Sequence, residues 1–374
     1  MSLIRTIRRY LGGILNSLRA EGGVSFGIAF ETSVLVFGLR TLQVATDSFS
    51  KLNKIGEGGF GSVYKGVLPN GQVKKLSSYS TQGVRQFTNE VELLSEIRHM
   101  NLVILLGCCA KGPERMLVYE YLPNKSLDCF LFDKKQSSCL IWETRFRIAT
   151  GVARGLLYLH EEAPMRILHG DIKASNILLD EKLSPKITDF GLAWMFPEED
   201  THVNTSTISG TLGYMAPEYS MYGDLSVKID VFSYGILLLE IISGRKSIDF
   251  SFGPGRYDLL HSAWTLYQEG KMSELADPSL GNSYNTHEVE MCIQIALLCC
   301  QKSPDNWPDM NSIHVMLLSN LFALPAPGQP CLLVRTRIWT STTTSCSTSL
   351  VTNLSTAEQY SQNSISVSST DEGR

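Results

Sequence analysis

Residues 167–180, ILHGDIKASNILLD, combine polar side chains at spacings that suit phosphate chemistry. An aspartate such as Asp171 can accept a proton from a hydroxyl group or orient that hydroxyl. The amide oxygen of Asn176 is a suitable ligand for Mg²⁺, and the ammonium group of Lys173 can neutralise a phosphoryl group in transfer. Gly170 stands between His169 and Asp171. The loop is therefore a candidate centre for phosphoryl transfer.

A second carboxylate, Asp189 in ITDFGLA, follows a short strand-like run. Mg²⁺ is usually held by one or two protein carboxylates, with phosphate oxygens and water completing the shell. Asp189 and Asn176 are therefore the candidate metal ligands.

A glycine-rich stretch, IGEGGFGSVYKG, carries Gly56, Gly58 and Gly61 in the spacing G-x-G-x-x-G, with Val63 two positions later. Glycines allow backbone N–H groups to approach phosphate oxygens closely. A dinucleotide-binding site has the same spacing but continues into a helix. Here SVYKGVL follows, rich in β-formers and ending at a Pro-Asn-Gly turn, so a strand–turn–strand hairpin is predicted.

Lys74 lies on a strand-like run after this hairpin and is the candidate cation for the phosphates. Glu90, in the helical stretch FTNEVELL, is a candidate carboxylate to hold that lysine. Taken alone, each residue is equally consistent with an ordinary solvated surface charge.

Composition and patterning give the domain organisation. The chain has 374 residues and a net charge of −4, without the basic excess of a nucleic-acid-binding protein. Short β-like runs are followed by the connector YEYLPNKS and then by long helical patterns, which predicts two lobes with a ligand cleft between them. The Ser/Thr-rich end of the chain predicts a disordered tail.

The cysteines and the longest apolar run indicate no disulfide framework and no membrane span. The nine cysteines lack CxxC spacing, which favours buried free thiols over zinc or disulfides. The apolar run VFSYGILLLEII is too short to span a membrane and is predicted as a buried helix. In the first twenty residues, apolar side chains recur at helical spacing and four arginines occur without an acidic residue. This pattern suits an interfacial helix, a transit-like leader or an extension without function.

With GTLGYMAPEYS added, six motifs stand in the order of the protein-kinase signature set. The finer sequence resembles plant receptor-like kinases of the cysteine-rich or S-domain type over residues 38–325. The phrases LVYEYLPNKSLDCFLF, HGDIKASNILLD and GTLGYMAPEYSMYGDLSVKIDVFSYGILLLEIISGRK carry this resemblance. It implies an α+β, bilobal protein-kinase fold. The predicted regions are an N-terminal extension (1–49), a mostly-β N-lobe (50–118), a hinge (119–124), a mostly-helical C-lobe (125–322) and a tail (323–374).

The resemblance also assigns roles. Tyr119 would be the gatekeeper beside the nucleotide, and Asp230 would brace the catalytic loop. Lys173 and Thr211 indicate serine or threonine as the phosphate acceptor. The implied cofactors are ATP and Mg²⁺, with Mn²⁺ as an alternative metal. The predicted nucleotide-binding residues are Ile55, Gly56, Gly58, Gly61, Val63, Lys74, Tyr119, Glu120 and Leu122.

Expected partners are a protein substrate with Ser or Thr, together with a receptor kinase or co-receptor, and not nucleic acid. The family normally has an ectodomain and a membrane span, and neither is seen in this sequence. A cytoplasmic location is expected, with the inner face of the plasma membrane reachable through the N-terminal arginines.

Departures from the family pattern bear on activity. The segment between Gly61 and Lys74 is about three residues short, and an odd loss flips strand faces unless the turn absorbs it; Lys75 would then be the substitute. Gly170 replaces the arginine that clamps a phosphate on the activation segment, which is the non-RD pattern. Trp307 replaces the arginine expected to pair with Glu218. Trp194 and Met100 also stand in place of arginines.

Two hypotheses follow. The first is a Ser/Thr protein kinase in which Lys74, held by Glu90, binds the α- and β-phosphates. Asp189 and Asn176 would hold the metals, and Asp171 and Lys173 would act at the acceptor hydroxyl and the transferred group. The second is a pseudokinase-like scaffold that binds nucleotide or partner kinases with little phosphoryl transfer. The shortened segment and Trp307 favour the second hypothesis, whereas the intact Asp171, Asn176 and Asp189 favour the first.

Overall fold

The computed structural model describes residues 34–58, 61–68, 71–76, 81–111, 114–133, 135–197, 200–248, 258–281, 284–319, 324–331 and 364–368. The chain separates into two compact units, each with its own internal contacts. The first unit contains the chain up to Pro123 together with Asp189–Ala193, and the second contains Asn124–Thr188 and the chain from Trp194 onward.

The first unit is built on a six-stranded sheet with the order β1-β5-β6-β4-β3-β2. Its strands are β1 Leu35–Val36, β2 Lys54–Gly58, β3 Gly61–Lys65, β4 Gly71–Leu76, β5 Leu105–Lys111 and β6 Glu114–Glu120. Strand β1 runs parallel to β5, and all other neighbours are antiparallel. The predicted glycine-rich hairpin is therefore present as β2 and β3.

A short helix, α1 (Leu39–Ala45), covers one face of this sheet. Its Leu42 is fully buried and packs with Cys109, Met116 and Val118. The sequence places residues 1–49 in an extension without strong pattern, yet β1 and α1 join the sheet. The reason is that Leu42 packs on apolar side chains of one sheet face, which the strands alone would leave exposed to water.

The helix α2 (Thr81–Glu96) packs against β5 and β6. Phe87, Val91 and Leu94 recur at the three- and four-residue spacing of one helix face, and all three are buried. Glu90 is also completely buried beside that face. The helix predicted around FTNEVELL is therefore confirmed, and it holds its single buried carboxylate against the sheet.

The second unit is mostly helical. Its helices are α3 Asp128–Leu131, α4 Trp142–Leu157, α5 Pro217–Tyr222, α6 Lys228–Ser243, α7 Leu259–Gln268, α8 Thr286–Cys299 and α9 Met310–Leu318. Every residue of α6 from Ile229 to Ser243 is buried. The apolar run in this helix is thus a central core helix, as predicted. Across the described ranges, no helix has both the length and the hydrophobicity needed to cross a bilayer.

Short strand pairs hold the loops of the second unit. They are β7 Ile167–Leu168, β8 Ile177–Leu179, β9 Pro185–Ile187, β10 Trp194–Met195, β11 Val203–Asn204, β12 Thr207–Thr211, β13 Asp224–Leu225 and β14 Ser364–Ser368. The pairs are β7 with β10, β8 with β9, β11 with β13 and β12 with β14. The loop from His169 to Asn176 connects β7 to β8, so both of its ends are fixed by strands.

Parts of the predicted disordered tail make defined contacts. The side-chain oxygen of Gln301 accepts a 2.7 Å hydrogen bond from Gly328 N–H, and the backbone of Gln301 bridges to Pro330. Cys331 is buried. Composition alone misses these contacts because they depend on one buried glutamine rather than on an apolar core.

Candidate active site

Asp171 is the centre of a hydrogen-bond network in the second unit. Its Oδ1 accepts a 2.6 Å bond from the Thr211 hydroxyl, and its Oδ2 lies 2.8 Å from the Lys173 ammonium group. Lys173 also donates to the Thr211 oxygen at 2.7 Å. Asp171 is buried, so these charge-assisted bonds fix its orientation strongly. The structure thus brings together the two catalytic residues predicted in this loop, and adds Thr211 as their common partner.

The side chain of Asn176, the first predicted metal ligand, is hydrogen-bonded to Asp171. Its Nδ2 donates to the backbone oxygen of Asp171 at 2.9 Å and to Asp171 Oδ2 at 3.1 Å. The amide nitrogen is therefore turned toward Asp171, which leaves the amide oxygen as the free acceptor. An oxygen donor of this kind suits Mg²⁺.

Asp230, near the start of α6, braces the loop. Its Oδ2 accepts from the backbone N–H of His169 at 2.7 Å, and its Oδ1 accepts from that of Gly170 at 2.9 Å. The side chain of His160 also lies 3.0 Å from Oδ2. The role predicted for Asp230 matches these contacts. His160 was missed, because a single histidine at a helix end carries no spacing signal.

Gly170 adopts a backbone φ of 78°. This lies in the left-handed region, which glycine adopts without penalty and other residues adopt at a cost of about 1–2 kcal/mol. The glycine therefore suits the local backbone conformation as well as removing the arginine of the family pattern.

In the first unit, the buried carboxylate of Glu90 accepts a hydrogen bond from the Tyr119 hydroxyl. Burial, followed by the charge of Glu90, raises the pKa of Tyr119 well above its ordinary value. Tyr119 consequently remains a protonated donor at any physiological pH. The residue predicted as gatekeeper is thus directly coupled to the carboxylate predicted to hold Lys74.

The register of the sheet places Lys74 relative to this pair. Position 74 lies directly opposite Leu117 of β6 and Val63 of β3. Opposed residues share a sheet face and alternate residues share the same face, so position 74 is on the face of Leu117 and Tyr119. Position 75 lies opposite Met116, on the face covered by Leu42.

The register between β3 and β4 is uninterrupted. The two strands pair continuously from Gly61 opposite Leu76 to Lys65 opposite Gln72. The strand faces therefore keep their order up to position 74. Lys74, rather than Lys75, occupies the position on the face of Glu90.

The remaining predicted nucleotide-binding residues lie on this unit. Gly56 pairs with Val63 and Gly58 with Gly61 in the β2–β3 hairpin, with Ile55 on β2. Glu120 ends β6, where its N–H bonds to Ile104, and Leu122 follows it and is buried.

Asp189 has a φ of 69°, which is left-handed and unusual for a residue with a side chain. The segment that follows it packs on α2: Gly191 lies against Gln86, and Asn89 Nδ2 donates to Ala193 at 2.6 Å. A strained backbone held by its surroundings is frequent at functional sites. The segment directly after the predicted second metal ligand is therefore held by the helix that carries Glu90.

The arginine replacements have distinct outcomes. Glu218 Oε1 has no hydrogen-bond partner in the described part of the chain, and burial raises the pKa of Glu218 to about 7. Trp307 is buried, packs on Phe232 with ring centroids 5.5 Å apart and donates from Nε1 to Gln301. Met100 is exposed, so its replacement of an arginine changes only a side chain that faces solvent.

The profile of the family described as protein tyrosine and serine/threonine kinase matches residues 49–317. Cysteine-rich receptor-like protein kinase 10 of Arabidopsis thaliana is 51% identical over 302 residues, which cover 80% of this chain and 45% of the relative. Receptor-like serine/threonine-protein kinase SD1-7 of the same plant is 50% identical over 299 residues, covering 78% of this chain and 36% of that relative. A G-type lectin S-receptor-like serine/threonine-protein kinase is 49% identical over 303 residues, 80% of this chain and 36% of that relative.

The chain spans less than half the length of each of these relatives. The strand-rich first unit and the helical second unit agree with the predicted N-lobe and C-lobe of the kinase fold. The profile match and the identities agree, and the chain belongs to the protein tyrosine and serine/threonine kinase family, with receptor-like kinases among its relatives.

Proposed function

We propose that this domain transfers the γ-phosphoryl group of ATP to serine or threonine hydroxyls of a protein substrate in receptor-like signalling. The observation that carries the proposal is the network in which Thr211 and Lys173 both contact the carboxylate of Asp171. Asp171 orients the acceptor hydroxyl and takes its proton. Lys173 is a cation beside that carboxylate and stabilises the negative charge of the group in transfer.

Residues of the first unit bind the nucleotide in this proposal. Lys74 contacts the α- and β-phosphates, and Glu90, held by Tyr119, positions Lys74. The glycines of the β2–β3 hairpin present backbone N–H groups to phosphate oxygens. Glu120 and Leu122 provide backbone groups for the adenine.

Asn176 and Asp189 would hold Mg²⁺, or Mn²⁺ as the alternative. Asn176 fits this role because its amide nitrogen is engaged by Asp171, so its oxygen is presented as a ligand. Asp189 supplies the carboxylate that hard divalent ions prefer. The bound metal would neutralise charge on the phosphate oxygens.

Regulation is proposed to be independent of an arginine–phosphate clamp. Gly170 has no side chain with which to bind a phosphate on Thr205, Ser206, Thr207 or Ser209. Substituting Thr205 and Thr207 with alanine is therefore expected to leave the transfer rate nearly unchanged. A large loss of activity in that double variant would contradict this part of the proposal.

The pseudokinase alternative gains no specific observation. One of its two supports was the shortened segment before Lys74, but the register of β3, β4 and β6 keeps position 74 on the face of Tyr119. The other was Trp307, which contacts Phe232 and Gln301 and not the network around Asp171. A protein substrate, a receptor-kinase partner and a cytoplasmic location at the plasma membrane belong to the proposal. The N-terminal arginines that suggested membrane contact lie outside the described residues.

The neighbouring lysines offer a matched test. Lys74→Met and Lys75→Met remove the same charge from adjacent positions on opposite sheet faces. Transfer of labelled phosphate from ATP to a generic protein substrate, followed by identification of the phosphoamino acid, gives the readout. Lys74→Met is expected to abolish transfer and Lys75→Met to retain it, with phosphoserine or phosphothreonine as product. Equal losses in both variants, or phosphotyrosine alone, would refute the proposal.

A further inference from the structure

Residues 324–331 lie beside α8 and the residues that follow it. At one end of this segment, Nε2 of Gln294 on α8 donates to two of its backbone oxygens, at 3.2 and 2.9 Å. At the other end, the segment pairs in antiparallel direction with the chain after α8, through a bridge between Gln301 and Pro330. The segment is therefore held in a defined register against the second unit.

Cys300 and Cys331 form the next pair along this bridge. In an antiparallel pairing, the residue before Gln301 lies opposite the residue after Pro330. The N–H of Cys331 accordingly donates to the backbone oxygen of Cys300 at 3.3 Å. The two cysteines are thus brought together by the fold, although they are distant in sequence.

The backbone separation of this pair suits a disulfide. Opposed residues joined by a backbone bond of this kind have Cα atoms about 5.5 Å apart, with their side chains on the same face. Disulfides span Cα separations of about 4.4–6.8 Å, most often about 5.5–6 Å. A bond between Cys300 and Cys331 therefore needs no large movement of the chain.

Both side chains lie in the interior of the second unit. Cys300 is fully buried, whereas Cys331 is 7% exposed. The Sγ of Cys300 makes a weak contact of 3.7 Å with the backbone oxygen of Phe232, and it lies where a side chain at Gly235 would approach it to 2.8 Å. The glycine in α6 thus leaves room for this thiol. A small uncharged oxidant meets Cys331 first, because Cys331 has the greater exposure.

From this pairing we propose that Cys300 and Cys331 are a redox-sensitive pair that forms a reversible disulfide, with hydrogen peroxide as the oxidant. The Cys331 sulfur attacks peroxide: an S–O bond forms, the O–O bond breaks, and the leaving hydroxide takes the thiol proton to give water. The Cys300 sulfur then attacks the sulfenic acid of Cys331: the S–S bond forms, the S–O bond breaks, and a second water leaves with the Cys300 proton. The two thiols lose two electrons in total, and peroxide gains them.

The bond would change the stability of the second unit. It closes the loop of residues 301–330, which contains Trp307 and α9. A cross-link of this kind removes conformations from the unfolded chain. The melting temperature should therefore rise by about 5 °C or more on oxidation, and a dithiol reductant should reverse the rise. This inference does not depend on the proposed kinase activity.

The test treats the folded full chain with hydrogen peroxide, alkylates the remaining thiols and digests the protein without reductant. Tandem mass spectrometry should find a peptide pair joined through Cys300 and Cys331, lighter by two hydrogens than the separate peptides. Dithiothreitol should abolish it. Cys331→Ala should lose both the cross-link and the rise in melting temperature. Cys139→Ser, which removes an exposed thiol, is the control and should keep both.

Four outcomes would overturn the inference. In the first, peroxide oxidises Cys139 while Cys300 and Cys331 are both recovered as thiols. In the second, Cys331 is joined to Cys299 or to another chain. In the third, the cross-link forms equally fast in urea-unfolded protein, which would show that the fold does not bring the pair together. In the fourth, Cys331→Ala shows the same rise in melting temperature as wild type, so that the stabilisation has another source.

Discussion

Replacing Glu218 with glutamine should change how the stability of the second unit depends on pH. Glu218 is half-buried at the start of α5, and its Oε1 has no hydrogen-bond partner in the part of the chain that the structure describes. Trp307, which occupies the position of the family's pairing arginine, brings no compensating positive charge. Burial therefore raises the pKa of Glu218 from 4.5 to about 7.

The size and sign of the effect follow from this shift. An acid with a raised pKa in the folded state binds its proton more tightly there than in the unfolded chain. The associated stability is fully present below pH 4.5, is lost as pH rises to about 7, and stays lost at higher pH. One pKa unit corresponds to about 1.4 kcal/mol, so ionisation of Glu218 lowers the free energy of unfolding by about 3 kcal/mol between pH 4.5 and 8.

Urea unfolding followed by tryptophan fluorescence provides the assay. None of the five tryptophans lies in the first unit, so the signal reports on the second unit, which contains Glu218. The difference in unfolding free energy between Glu218→Gln and wild type should move in favour of the variant by about 3 kcal/mol from pH 4.5 to 8.

The measured quantity is how the difference in unfolding free energy between variant and wild type changes with pH. This choice removes two other contributions. The pKa of Glu240 is also raised to about 7 by burial, but Glu240 titrates in both proteins. Any fixed cost of the new amide group is the same at every pH. Glu181→Gln, at an exposed glutamate, is the control and should show no pH-dependent difference. A difference for Glu218→Gln that is constant from pH 4.5 to 8 would refute the reasoning.

Three further substitutions test other parts of the structure. Gly170→Ala should lower the free energy of unfolding by about 1–2 kcal/mol, because φ at this position is 78°; an unchanged urea midpoint would contradict this. Tyr119→Phe removes the hydroxyl that donates to buried Glu90 and should cost about 1.5–3 kcal/mol, visible in calorimetry as a lower melting temperature, and an unchanged melting temperature would contradict it. Asp230→Asn places an amide against backbone N–H donors of the catalytic loop, so kcat should fall with little change in KM for ATP, whereas a rise in KM alone would point to a different role.

The catalytic loop was predictable from sequence because its chemistry is local. Asp171, Lys173 and Asn176 lie within a few residues of one another, and their types alone indicate phosphate and metal chemistry. The predicted bracing by Asp230 came from family resemblance, and the structure supplies the reason: its carboxylate satisfies two backbone N–H groups that the tight loop exposes.

Features that depend on packing could not be predicted in this way. The sheet face on which position 74 lies depends on the register of β3 and β4, which the sequence does not show. The contact between Tyr119 and Glu90 joins a strand to a helix 29 residues away, with no spacing rule to indicate it. The contribution of Leu42 to the sheet depends on its packing with Cys109, Met116 and Val118, which are distant in sequence.

In the proposed reaction, Asp171 is the residue that orients the acceptor hydroxyl. The most direct measurement is phosphate transfer in a single turnover by wild-type protein and by Asp171→Asn, together with the affinity of each for ATP. The account predicts that transfer by the variant falls by roughly 10²–10⁴-fold, the range for loss of a positioned acid or base, while ATP affinity stays within a few-fold of wild type. Equal transfer by both proteins would contradict the account.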